Sequence, residues 1–125
     1  MELWAKIGDE KVKFQGSMVK VLEELVQKAQ GKEAQLLSFH AGQKERRRLK
    51  RELRAAGKNL VEAAKNYVRW YYTAEARKIR RQIKELKRRE KENSKGIRYL
   101  PKGVVEQINR LQKQLEEINQ KLASL

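Results

Sequence analysis

The chain has 125 residues, a common size for one folded domain, with 39% hydrophobic residues and a formal net charge of +15 at pH 7. It has no cysteine, which excludes a disulfide framework and thiolate metal sites. No apolar run approaches the roughly 20 residues of a membrane span, and MELWAKIGDEKVKF lacks the basic-then-apolar pattern of an export signal, so the expectation is a cytoplasmic protein that does not enter a membrane.

Glycine and proline are sparse, seven and one, and no run alternates β-branched positions. The sequence therefore predicts a single all-α domain over residues 1–125. The expected architecture is a compact bundle of four to five helices with a long basic helix and an antiparallel C-terminal one.

In chain order, Leu3, Trp4 and Ile7 read as one amphipathic turn ended by Gly8-Asp9. Trp4 is expected to dock on the bundle, with a contact to a partner subunit as the other reading. Ser17 is a helix cap, and Met18, Leu22, Leu25 and Ala29 repeat at helical spacing until the stop at Gly31. A second helical segment is expected from Lys32, with Ala34, Leu37 and Ala41 on one side and Leu36 and Phe39 beside them, bending at Gly42. The next stripe runs Leu49, Leu53, Ala56, Leu60, Ala63, Tyr67, Trp70, Ala74 without losing phase, which permits one helix of roughly 75 Å from Lys44 to Asn93. Against continuity, Gly57 suits a helix end, and Asn59 followed by Glu62 has capping-box spacing. The reading places a break at Gly57, with the unbroken helix as its alternative.

Beyond that point the stripe shifts phase to Ala76, Ile79, Ile83 and Leu86. Asn93, Ser94 and Gly96 read as a stop, Pro101 as part of a first helical turn, and residues 94–100 as a short connection. The last helix carries Val104, Ile108, Leu111, Leu115, Ile118, Leu122 and Leu125 in steps of four and three. Such heptads pack within the chain or between chains.

Charge is concentrated rather than spread. Residues 44–58 carry eight basic and two acidic side chains, residues 77–91 nine and two, and the rest is close to neutral. Cations set against phosphates release condensed counterions, and the arginine fork grips phosphate oxygens bidentately. The expected nucleic-acid contacts are Lys44, Arg46, Arg47, Arg48, Lys50, Arg51, Arg54 and Lys58 in the first block, Arg69 between the blocks, and Arg77, Lys78, Arg80, Arg81, Lys84, Lys87, Arg88, Arg89 and Lys91 in the second. Tyr67, Trp70 and Tyr71 share the core stripe and are expected to be buried, whereas Tyr72 points elsewhere and is the candidate for stacking on a base.

Catalysis finds little support. His40 is the single histidine and reads as a packing residue, and the carboxylate pairs Glu23-Glu24 and Glu116-Glu117 diverge on their helices. No metal site, cofactor or enzymatic role is expected.

With KERRRLKRELR and EARKIRRQIKELKRREK on cationic faces of a helical chain of this length, the protein resembles the small subunits of CRISPR surveillance complexes. The resemblance covers size, helicity and charge rather than a motif. It implies copies stacked beside other protein subunits along a guide–target duplex, with basic faces on target or displaced DNA. The resulting expectation is a non-catalytic, sequence-independent nucleic-acid-binding subunit of a ribonucleoprotein assembly, taking RNA or DNA backbone and further copies of itself as partners. The alternative is a helical adaptor whose C-terminal heptads recruit a protein.

Overall fold

A computed structural model describes residues 1–93 and 102–125, apart from the side chains of residues 90–93 and 102. The expected connection at 94–100 and the turn at Pro101 lie outside the described residues. The element order is β1 (Glu2–Ile7), β2 (Glu10–Gln15), α1 (Met18–Ala29), β3 (Ala34–His40), α2 (Gln43–Ala55), α3 (Leu60–Asn93) and α4 (Lys102–Ala123).

The all-α expectation is corrected by a three-stranded antiparallel sheet, ordered β2-β1-β3, whose strands all lie within the first 40 residues. Its first turn is the two-residue loop Gly8-Asp9, where Gly8 takes φ +61°, the left-handed setting that a glycine-first hairpin turn needs. β1 therefore alternates along its length. Leu3, Ala5 and Ile7 are buried, while Trp4 and Lys6 stand on the other face. In β2 the same register sets Phe14 beside Leu3 and Val12 beside Ala5. β3, read from sequence as helical, pairs with β1 through Phe39, Leu36 and Ala34. The register shifts between Trp4 and Ala5, so Leu37 is an extra residue between the partners Ser38 and Leu36.

The chain divides into two compact units, Met1–Tyr71 and Tyr72–Leu125. In the first, α1 begins at Ser17, whose hydroxyl accepts from the Lys20 N–H. It lays Met18, Val21, Leu22, Leu25 and Ala29 against β1 and β2. Gln30 and Gly31, both at positive φ, end it as the glycine signal indicates. The expected break at Gly57 is present. The Lys58 N–H donates to Leu53 O at 2.8 Å and the Gly57 N–H to Arg54 O at 3.3 Å, the paired bonds of a Schellman ending with Gly57 at φ +62°. Asn59 then caps α3, its Oδ1 accepting from the Glu62 N–H at 3.1 Å.

The buried side of α3 agrees with the expected stripe at Leu60, Ala63, Ala76, Ile79 and Ile83 and departs from it between, where Ala64, Val68 and Tyr72 are buried in place of Tyr67, Trp70 and Ala74. Leu60, Ala64, Val68, Tyr72 and Ala76 advance by fours before Ile79 and Ile83. A row of fours precesses by about 40° per step around a helix of 3.6 residues per turn, so the buried side winds and Trp70 and Ala74 fall outside it. In the second unit, Ile79, Ile83 and Ile108 form a buried cluster with Leu86, Val104, Leu111, Leu115 and Ile118 packed against it. Lys121 reaches Tyr72 at the start of this unit. Early α3 thus meets late α4, which makes the two helices antiparallel, and the heptad stripe is turned onto α3 within the chain.

Candidate functional site

On α2, Leu49 is buried and Glu45, Glu52, Leu53 and Ala56 are half-buried. Lys44, Arg46, Arg47, Lys50, Arg51 and Arg54 are exposed and occupy the opposite arc of the helix, a continuous cationic surface. Lys58, at φ +68° in the turn that follows, and Arg69 on α3 are exposed as well. Arg48 departs from its expected role. Its Nε donates to Glu52 Oε1 at 3.1 Å, and its guanidinium carbon lies 4.0 Å from the centroid of the Trp70 ring and 5.7 Å from that of Tyr67. This arginine clamps α2 to α3 instead of standing free for a phosphate.

In the second unit, Ile79, Ile83 and Leu86 turn toward α4, so Arg77, Lys78, Arg80, Arg81, Lys84, Lys87, Arg88 and Arg89 are exposed over the remaining surface of α3. Lys91 lies in the helix, and its side chain is outside the described residues. Arg80, Arg81, Lys84, Lys87 and Arg88 line a groove of about 850 Å³ whose apolar lining comes from Ile83 and from Leu115 of α4. The groove also contains one carboxylate. Glu85 accepts from Arg88 at 2.9 Å and pairs with Arg89 at 3.5 Å. Among the described residues no carboxylate pairs with Arg77, Arg80, Arg81 or Lys84. Exposed pairs such as those of Glu85 contribute at most about 1 kcal/mol, so they hold the two arginines only weakly.

The aromatic assignments exchange places. Tyr72, the expected stacking residue, is 8% exposed, with the Lys121 ammonium 5.0 Å from its ring centroid and 3.1 Å from its hydroxyl. Trp70, expected in the core, is 50% exposed. Tyr67 sits beside Trp70, its ring centroid 5.8 Å away at a tilt of 44°. Burial pushes the Tyr67 phenol above its ordinary pKa, with Arg48 opposing. The sequence signal that separates the two aromatics is the row of fours from Leu60, which includes position 72 and omits position 70.

On the outer face of the sheet, Trp4 donates its indole N–H to Glu2 Oε1 at 2.7 Å, and Lys13 lies 3.7 Å from the same oxygen. Trp4 is thus satisfied on its own strand pair rather than docked on a helical bundle. His40 pairs with Glu2 in the register at the end of β3 and is exposed, not a packing residue. A second cleft of about 670 Å³, unread from sequence, includes Lys6 and Lys58 together with Glu33. Among the described residues no three histidine or carboxylate side chains gather closely enough to hold a metal ion, and no helix is long and apolar enough to cross a membrane.

Comparison with known proteins gives a relative without an assigned role. The chain is 51% identical to an uncharacterized protein of Aquifex aeolicus (strain VF5) over 126 residues, covering 100% of this chain and 98% of that one. It belongs to the same family as that protein. No protein-family model matches the chain, and no solved structure matches it significantly.

Proposed function

We propose that this protein is a non-catalytic, sequence-independent binder of nucleic-acid backbone, gripping phosphates through the outer arc of α2 and the cationic groove beside α3. The observation that carries the reading is the groove itself, where five Lys and Arg side chains converge with a single carboxylate among them. Apolar walls beside those cations lower the local dielectric and focus their field on an anionic ligand. Phosphate contacts of this kind position a strand rather than select its sequence.

The test is the salt dependence of binding to random single-stranded oligonucleotides. With roughly six phosphate contacts the log–log slope is near −4. An affinity indifferent to salt removes the proposal. Participation in an assembly like a CRISPR surveillance complex belongs to the same proposal at one remove. The sheet weighs against it, because the resemblance is to wholly helical chains. The adaptor alternative loses its main surface, since the α4 stripe is engaged with α3.

A further inference from the structure

We infer that Trp70, backed by Arg48, is a stacking platform for one unpaired nucleobase, so that the preferred ligand is a single strand rather than a duplex; the inference rests on the nucleic-acid reading of the α2 and α3 cations. A tryptophan that keeps half its surface in water while bulky neighbours such as Leu60 and Val68 are enclosed is an uncommon use of an apolar ring. Its setting departs from a scattered surface apolar residue in three respects.

One face of the ring is already held. Arg48 stands 4.0 Å over its centroid, and Glu52, half-buried on the next turn of α2, fixes that guanidinium. The indole is thus oriented before any ligand arrives, which reduces the ordering cost of binding. The indole N–H also has no acceptor among the described residues, in contrast to Trp4, whose N–H is satisfied by Glu2. Finally, the surroundings are cationic. Arg47 and Arg51 stand exposed on α2 beside Arg48, and Arg69 precedes Trp70 and donates to Asn66 Oδ1 at 3.3 Å.

Together these features supply what a single strand offers in alternation, a π-face and a phosphate. In a duplex the base faces are occupied by their neighbours, so a duplex meets the arginines and leaves the indole unused. The buried Tyr72 is not available for this role.

The protein has two tryptophans, so Trp4→Phe leaves Trp70 as the only indole reporter while keeping a ring on β1. The probes are an oligothymidylate of roughly fifteen nucleotides and an abasic strand of the same length, at about 50 mM salt. The inference expects the thymidylate to quench Trp70 emission and the abasic strand to leave it unquenched. Trp70→Ala should then weaken thymidylate binding by roughly 5- to 150-fold more than abasic binding. Trp70→Phe should recover much of that loss, which separates stacking from a folding defect. Salt-sensitive binding of both strands with no quenching, equal quenching by both, or an equal loss for both in Trp70→Ala overturns the platform and leaves the backbone reading standing. If neither strand binds, the backbone reading falls and the platform with it.

Discussion

The two cationic regions are mounted on different kinds of core. The α2 arc belongs to an α/β unit that contains, among the described residues, all of the largest fully enclosed side chains, Leu3, Leu22, Leu25, Leu49, Leu60, Val21 and Val68. The groove belongs to a two-helix unit whose seam encloses Ile79, Ile83 and Ile108 and leaves Leu111, Leu115 and Ile118 half-buried. Stability and binding potential are therefore unevenly distributed. The first unit has the more fully enclosed core, while the second concentrates its cations in a concave site.

The largest effect that can break this comparison lies in the cores. Leu22→Ala should lower the stability of the first unit by about 2–5 kcal/mol in urea unfolding. Ile108→Ala, at a seam flanked by half-exposed residues, should fall near the lower end of that range. Trp4 and Trp70 both lie in the first unit. If Ile108→Ala shifts the tryptophan-detected transition as far as Leu22→Ala does, the two units unfold together and the contrast fails.

Next in size is the binding contrast. Replacing Arg80, Arg81, Lys84 and Arg88 by Gln should flatten the salt slope by about 3 if all four meet phosphates on a single strand. Replacing Arg46, Arg47, Arg51 and Arg54 should flatten it less, because a convex arc offers a strand fewer simultaneous contacts than a groove. Equal losses in the two variants would show that concavity contributes nothing.

The features legible in the sequence were those whose signals are local. Ser17, Gly31, Gly57 and Asn59 each satisfy or end backbone hydrogen bonding within a few residues, and each sits where its chemistry indicates. The α4 stripe was legible because seven apolar positions keep one phase against a polar background. The sheet was not. In β1 the alternation of Leu3, Ala5 and Ile7 has Trp4 between its members, so the strand resembles one amphipathic turn. In β3 the bulged Leu37 sets two leucines side by side and removes the period of two. The identity of β3 depends on pairing with β1 across a separation that reaches more than 30 residues, which no local pattern records, whereas the β1–β2 hairpin had a local signal in its two-residue Gly8-Asp9 turn. Most of the candidate cations were legible, since a charged side chain stays outside nearly any core. Arg48 was not, because its partners Trp70 and Tyr67 come from another helix.

Smaller effects sharpen the comparison inside the first unit. Asn59→Ala removes the cap of α3 and should cost about 1 kcal/mol in thermal unfolding, with the salt slope retained. Arg48→Gln and Arg51→Gln, alike in charge change, should diverge. Arg48 is committed to Glu52 and Trp70, so its loss should reduce stability by about 0.5–1 kcal/mol with little change in slope. Arg51 is exposed, so its loss should flatten the slope by about 0.7 with little change in stability. The reverse result would make Arg48 a phosphate ligand and undo the clamp.

The smallest predicted effect concerns pH at the sheet face. The Trp4 indole N–H, 2.7 Å from Glu2, holds that carboxyl below its ordinary pKa; desolvation opposes the shift, and Lys13 and His40 reinforce it. A carboxyl whose pKa is lower folded than unfolded stabilises the fold above its unfolded value and loses that contribution as pH falls through the folded value. Melting temperatures followed from about pH 7 to about pH 3 should therefore decline slightly more in the wild type than in Glu2→Gln, since the amide cannot titrate. Because the carboxylate is open to solvent, added salt should shrink the part owed to Lys13 and His40 and spare the part owed to the indole bond. A difference between the two proteins that vanishes in salt would assign the shift to charge alone and leave the Trp4 hydrogen bond without a role in it.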